Sequence, residues 1–340
     1  MKKRERIKIK LYFILGALFV LAVVTALGWR YYLRTIQRNG IGDMLSGEEY
    51  ERHYVMIPED SSSGIWQDIY ASAKAAGAES GAYVELMSDW SAGEYTLASY
   101  IDIAIAENVD GIIVKPDGSA NVQDAINAAD AAGIPVVTVL TDEADTSRKS
   151  FVGINSYQLG TTYGRQVLQC IGEDTRQITV LLNNGDSGKD LIFKELKTVV
   201  QDGLSEEQAG TVQIDPLTII AGSTFDEEEV IRDLFNEEAG RPDILVCMNE
   251  RDSVSAYNAM VDYNQVGDVD IIGYYQSDTM LDAVQKGTVP MVITLDTDQM
   301  GRCSVEALEE YYSMGYTSNY FSVDLNIITQ QNAGDYLEED

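Results

Sequence analysis

The feature that most restricts how this chain can fold is an alternation of short apolar runs with longer segments of helical spacing, repeated from residue 53 to residue 330. Ile112-Ile113-Val114 and Val136-Val137 are apolar at consecutive positions. A strand with one wet face alternates apolar and polar residues, whereas a strand covered on both faces need not. Between such runs the apolar residues fall three and four apart: Ile65, Ile69, Ala73 and Ala76 in one segment, Leu97, Ile101 and Ile105 in the next. Strands separated by helices need crossover connections, and these give parallel sheets flanked by helices.

The first cycle reads as strand 53–57, helix 65–78, strand 82–87, helix 94–108, strand 111–115, helix 120–132 and strands 135–140 and 150–153. The second reads as helix 157–171, strand 177–182, helix 189–201, strand 210–220, helix 227–238, strand 243–248, helix 252–265, strand 269–274, helix 279–286, strand 290–295 and helix 299–314, before a terminal segment 320–329. Pro216 lies inside strand 210–220 and predicts a bulge or break there. Two such cycles give an α/β chain of two doubly wound parallel-sheet lobes. Ligands in open α/β sheets bind at the carboxyl ends of the strands, so a cleft between lobes is the expected site.

A different element precedes this body. Residues 11–29, LYFILGALFVLAVVTALGW, carry no charge. As a helix they would span about 28 Å, close to the hydrocarbon thickness of a bilayer. Of the chain's 24 basic and 55 acidic residues, the first 38 positions hold nine and one, which leaves 15 against 54 for the rest. Basic residues ahead of the apolar stretch stay in the cytoplasm and place the acidic body outside. The expected organisation is a cytoplasmic head 1–10, a transmembrane signal anchor 11–29, a linker 30–52, the body 53–330 and an acidic tail 331–340. A cleaved signal peptide ending at Ala26-Leu27-Gly28 is the alternative. Retention is favoured because the run exceeds a signal peptide's apolar core and is followed by Arg30, Tyr31 and Tyr32, suited to the membrane interface. A lipid anchor on an N-terminal cysteine is excluded, since the first cysteine is Cys170.

Composition removes several function classes. The single histidine, His53, excludes sites built on several histidines. The acidity argues against nucleic-acid backbones, which need clustered Lys and Arg. Cys170, Cys247 and Cys303 are odd in number, lack CxxC spacing and read as small buried hydrophobes without a disulfide framework. Gly185-Asp186-Ser187-Gly188 looks like a serine nucleophile loop, but His53 is the one candidate base and has no supporting context. Gly188-Lys189 lacks the spacing of a phosphate-binding loop, and the acids at 226–229 suit a helix N-terminal turn. No catalytic residue, metal site or cofactor is expected, and the chain is read as a non-enzyme.

Several blocks then resemble one family, in order. Asn108-Val109-Asp110-Gly111-Ile112-Ile113-Val114-Lys115-Pro116 is similar to the third-strand signature of type I periplasmic binding proteins, and Ala132-Gly133-Ile134-Pro135-Val136-Val137-Thr138 to the fourth. Val152-Gly153-Ile154-Asn155-Ser156-Tyr157-Gln158-Leu159-Gly160 resembles the first crossover between lobes. Cys247-Met248-Asn249-Glu250, Ile271-Ile272-Gly273-Tyr274 and Asp298-Gln299-Met300-Gly301 follow in the expected places. The likeness covers about residues 53–330 and is nearest to the ribose- and galactose-binding branch. It implies two lobes joined by three crossovers, lobe one at about 53–153 and 296–318, lobe two at about 156–294 and 319–330.

The resemblance also nominates ligand contacts. Trp66, after Ser61-Ser62-Ser63-Gly64, stands where the family stacks an aromatic on the sugar, with the Ser63 hydroxyl beside it; a core Trp at a helix start is the competing role. Asp117 follows strand three and could accept from sugar hydroxyls or simply make a turn. Thr141 and Asp142 follow strand four, where the ribose-binding branch has an Asp-Arg pair, and here the neighbouring Arg is missing. Asn249 matches a position that reaches the ligand from lobe two, or caps the next helix. Tyr275 stands at a position that is commonly Asp, and Leu295 where the ribose branch has Gln. Asp296 could compensate beside the hinge or cap a helix there, Lys189 is the nearest cation to a missing family Arg, and Trp90 could line the cleft mouth. These departures suggest a less polar or differently shaped solute than ribose.

The expected function is a membrane-anchored, extracytoplasmic solute-binding protein for a sugar, closing by a hinge and serving an ABC importer. The alternative is a ligand-sensing partner of a membrane sensor kinase. A DNA-binding repressor of related body fold would need a helix-turn-helix head where this chain has an apolar span.

Overall fold

The computed structural model describes residues 50–87, 95–184, 186, 188–219, 224–236 and 240–336, the side chains of 224–227 excepted. The apolar segment 11–29, Trp90 and the last four residues lie outside the described residues. Among the described residues no helix is long and apolar enough to cross a membrane.

Two six-stranded sheets form the body. The first half of the chain runs β1 (Arg52–Ile57), α1 (Gly64–Ser80), β2 (Ala82–Leu86), α2 (Leu97–Glu107), β3 (Gly111–Val114), α3 (Ala120–Ala131), β4 (Val136–Val139) and β5 (Ser150–Gly153). The second half runs α4 (Ser156–Cys170), β6 (Gln177–Asn183), α5 (Lys189–Gly203), α6 (Glu206–Ala209), β7 (Gln213–Ile219), α7 (Thr224–Asn236), β8 (Ile244–Val246), α8 (Glu250–Asp262), β9 (Asp270–Tyr274), α9 (Asp278–Gln285) and β10 (Met291–Leu295). The chain then returns through α10 (Thr297–Met314), β11 (Tyr320–Ser322) and β12 (Leu325–Thr329).

Lobe one has strand order β11-β5-β4-β3-β1-β2 and lobe two β12-β10-β9-β8-β6-β7. The orders correspond position by position, so β6 occupies in lobe two the place of β1 in lobe one, and β8 that of β3. Every pairing is parallel except the antiparallel addition of β12 to β10. Strands Gly111–Val114 and Val136–Val139, apolar throughout except for Thr138, are buried at every position. Helices cover both faces, which is why these strands carry no polar alternation.

The terminal segment divides where the sequence suggested one element. Its first three residues pair with β5 in lobe one, and after Val323 and Asp324 the chain pairs with β10 in lobe two. The chain thus passes between lobes three times: after β5, after β10 and between β11 and β12. The break expected at Pro216 is absent, since β7 keeps register with β6 throughout and Pro216 lies opposite Val180. This strand is the sheet edge, where a missing N–H on the open side removes no ladder bond. The short α6, closed by a Ser205–Gln208 capping box, had no apolar period to announce it.

Helices α1 and α10 pack closely on lobe one, and Gly301 allows it. A Cβ at Gly301 would collide with the Ile69 carbonyl oxygen and lie 2.6 Å from the Ala73 amide nitrogen. Cys247 is buried, and burial pushes the partly buried Cys170 thiol up to about 12, which keeps it protonated.

Glu143 in the loop after β4 is 5 % exposed; one oxygen accepts from Gln123 Nε2 at 3.0 Å and Oε1 has no partner among the described residues. Burial raises its pKa; the Gln123 bond opposes this, and Asp142, Asp117 and Asp145 add to it. A carboxyl raised on folding favours the fold at low pH, and the benefit is lost as pH rises through its folded pKa.

Two predictions come from this packing. Gly→Ala in an ordinary helix interior gains about 1 kcal/mol, but the close approach reverses the sign at Gly301. Gly301→Ala should destabilise by about 1–3 kcal/mol in urea unfolding. Glu143→Gln should be more stable than the parent at pH 8, with the difference shrinking as pH falls toward 4, read as unfolding midpoints across that range.

Candidate functional site

Parallel pairing brings the carboxyl ends of the strands of each lobe, the antiparallel β12 excepted, to one edge, and these edges line a cleft of about 1370 Å³. Lobe one contributes the loops after β1, β3 and β4, lobe two those after β6 and β8, and the first crossover supplies Asn155, Ser156 and Tyr157.

Six of the eight residues singled out from sequence line this cleft: Ser63, Trp66, Asp117, Thr141, Asp142 and Asn249. Several of them carry structural duties. The Ser63 hydroxyl donates to Glu250 Oε2 across the lobes at 2.5 Å. Trp66 is only 2 % exposed and belongs to the main core, so a solute would meet no open ring face there. Asp117 Oδ1 accepts from the Ser119 amide at 2.9 Å in the turn that leads into α3. Asn249 caps α8, its Oδ1 accepting from the Asp252 amide at 2.7 Å and its Nδ2 donating to Asp252 Oδ2 at 2.6 Å.

Tyr275 and Asp296 are not brought into the cleft lining. Tyr275 is buried, and its hydroxyl donates to Asp68 Oδ2 on α1 at 2.6 Å, tying lobe two to lobe one. Burial, reinforced by Asp68, holds that phenol far above its usual pKa. Asp296 caps α10, Oδ1 accepting from the Gln299 amide at 2.8 Å. Leu295 lies in the core.

The arginine missing beside Asp142 in sequence is supplied from six residues further on. Arg148 Nε donates to Asp142 Oδ1, and its terminal nitrogen donates to Oδ2 at 2.7 Å. Its other terminal nitrogen donates to Asn319 Oδ1 at 2.8 Å and to the Asn319 carbonyl at 3.0 Å. The guanidinium is thereby fixed in plane at the cleft wall. The available signal was isolation: Arg148 and Lys149 are the sole cations between Lys115 and Arg165.

Other charged lining residues were also missed. Lys115 lies 2.6 Å from Glu59 and 3.1 Å from Asp186. Burial alone would lower its pKa, but Asp186 and Glu59 outweigh burial and keep the ammonium charged. Arg251 donates to Asp60 Oδ2 at 3.0 Å, and Lys189 to the Asn184 carbonyl at 2.8 Å. Asp60 sits below its ordinary pKa: burial acts against this, but bonds from Ser62 and Arg251 prevail. Two exposed aromatics face the cleft: Tyr95, 52 % exposed, and Tyr157, 60 % exposed.

The backbone carries strain at corresponding places. Leu140 after β4 and Tyr275 after β9 have φ of 63° and 68°, a region that disfavours side chains. Leu140 N–H donates to the Val152 carbonyl and Tyr275 N–H to that of Ile293. Among the described residues no group of three or more His, Cys, Asp or Glu could hold a metal ion.

Comparison with known proteins agrees with this geometry. Residues 54–315 match the family described as periplasmic binding protein domain. No curated protein sequence matches. Among solved structures, GanP, a glucose-galactose binding protein from Geobacillus stearothermophilus, has TM-score 0.72 and 20 % identity over 83 % of this chain and 98 % of its own. XylFII in the XylFII-LytSN complex has TM-score 0.69 and 22 % identity, covering 82 % and 98 %. A solute-binding protein from Agrobacterium vitis, bound to alpha-D-tagatopyranose, has TM-score 0.71 and 15 % identity, covering 84 % and 97 %. At these identities the solved structures establish the fold, that of sugar-binding periplasmic proteins, and the family implies an extracytoplasmic location. The match over residues 54–315, with two parallel-sheet lobes and a cleft at their facing strand ends, means that the chain belongs to the periplasmic binding protein family.

Proposed function

We propose that this chain is an extracytoplasmic, membrane-anchored receptor that closes its two lobes over an uncharged sugar and serves an ABC importer. The observation that carries the reading is the cleft lining, which combines hydrogen-bonding side chains from both sheets with the exposed rings of Tyr95 and Tyr157. Sugar hydroxyls need paired donors and acceptors, and the C–H face of a sugar ring packs on aromatics. The Asp142–Arg148 pair offers one carboxylate edge and one remaining guanidinium N–H in a fixed plane. Among the described residues, the four basic side chains of the lining are held by the chain's own acceptors: Lys115 by Glu59 and Asp186, Arg148 by Asp142 and Asn319, Arg251 by Asp60, Lys189 by Asn184. An anionic solute would have to displace one of them, which favours an uncharged ligand.

The anchor rests on residues 11–29, and its location on the basic residues before them. A sensory role is the second reading. Retention of the apolar segment 11–29 would support it, since a helix there could pack on the helices of a membrane partner, as does the fold shared with XylFII, solved in complex with LytSN.

A thermal-shift panel on the full chain in detergent tests the ligand class. Pentoses, hexoses, deoxysugars and inositols are compared with hexose 6-phosphates and uronates. A neutral sugar at 100 times its dissociation constant should add about 2.7 kcal/mol of stability, and the anionic forms little. No shift from any neutral sugar would refute the sugar reading. With a binding sugar in hand, Arg148→Ala should weaken affinity about tenfold or more while the far-ultraviolet circular dichroism is unchanged. Co-purification of the full chain with a permease or with a kinase separates importer from sensor.

A further inference from the structure

The corresponding strand orders of the lobes expose a pairing that neither lobe shows by itself. Lys115 follows β3 of lobe one and reaches Asp186, which follows β6 of lobe two, at 3.1 Å. Arg251 follows β8 of lobe two and reaches Asp60, which follows β1 of lobe one, at 3.0 Å. Since β6 corresponds to β1 and β8 to β3, each lobe sends a cation from just past its third strand, Lys115 from the loop after β3 and Arg251 from the first turn of α8, to a carboxylate in the loop after the other's first strand. The two ion pairs are reciprocal and cross the same cleft.

We infer that Lys115–Asp186 and Arg251–Asp60 form a reciprocal clasp that draws the lobes together by the chain's own charges, with Lys115 and Arg251 acting as positioning residues. The inference stands whatever solute the cleft takes. Opening the lobes must part both pairs, because the partners sit on opposite sheets. It does not leave Lys115 without a countercharge, since Glu59, 2.6 Å away, belongs to the same lobe and moves with it. The Lys115 side chain is 12 % exposed and that of Asp186 24 %, so this pair is shielded from solvent more than an ordinary surface pair. Arg251 and Asp60 are more open, at 39 % and 35 %. The clasp is therefore a tie of modest strength that opens reversibly. It biases the closed population before any solute binds, which reduces the part of the binding free energy spent on closure. Screening makes it salt-dependent: the Debye length falls from about 10 Å at 0.1 M to about 3 Å at 1 M.

The test is small-angle neutron scattering of the full chain, detergent contrast-matched, with no sugar present, in 20 mM and in 1 M sodium chloride. The parent should be compact at low salt and show a larger radius of gyration at high salt. Lys115→Met and Arg251→Met should each be expanded at low salt, and the double variant should lose the salt response. Asp186→Asn and Asp60→Asn, which remove the other partner, should behave likewise, so the question does not rest on one variant's folding. Circular dichroism identifies the variants that fold. If those scatter like the parent at both salt concentrations, the clasp is refuted. A parent insensitive to salt would refute it as well. The measurement uses no ligand, so its failure is separate from that of the sugar reading.

Discussion

Parallel pairing makes the paired strands of a sheet end on the same edge, and in this molecule every strand but β12 obeys it; the cleft and its lining follow from that constraint. Each return to the starting edge needs a crossover helix, so helices cover both faces and the strands become continuously apolar. The loops after the strands, freed from packing, collect at one edge of each sheet. Three passages between lobes, after β5, after β10 and between β11 and β12, turn these two edges toward one cleft. The cleft is thus a consequence of how the backbone satisfies its hydrogen bonds.

Charge at the cleft is organised by the same geometry. An acidic body with few cations spends four of them on the lining, each held by a carboxylate or carbonyl of the chain itself. Arg148 is locked within one lobe by Asp142 and Asn319. Lys115 and Arg251 instead reach the opposite lobe. Tyr275 adds a neutral tie, its hydroxyl on Asp68, from a left-handed backbone position that Leu140 shares at the end of its own strand. Among the described residues of the lining, each basic side chain is thus already held by an acceptor of the chain itself.

Most of the secondary structure was legible because its cause is local. The runs Ile112-Ile113-Val114 and Val136-Val137 were read from apolar continuity, and α1 and α2 from helical spacing. Pro216 misled because whether a strand is an edge depends on its neighbours, not on its own residues. The terminal segment read as one element because nothing in its sequence says that β11 and β12 belong to different sheets.

The candidate site shows the same division. Asp117 could be named because it follows a strand, and Asn249 and Ser63 because they stand in or beside blocks that resemble the family; both signals are a matter of order along the chain. Trp66 could be named too, but only packing decides that its ring is buried at 2 % exposure. Arg148 escaped because its partnership with Asp142 depends on a loop folding back over six residues to meet Asn319. The reciprocal ion pairs escaped for a stronger reason: Lys115 and Asp186, like Asp60 and Arg251, are far apart in sequence and meet only once two sheets face each other. Periodicity and burial act over a few neighbouring residues, and so the α/β class, the two cycles and the loops able to bear a site could be read along the chain. Tertiary structure alone decided which charges are already paired and which faces stay open, because those depend on distances between segments that local order does not encode.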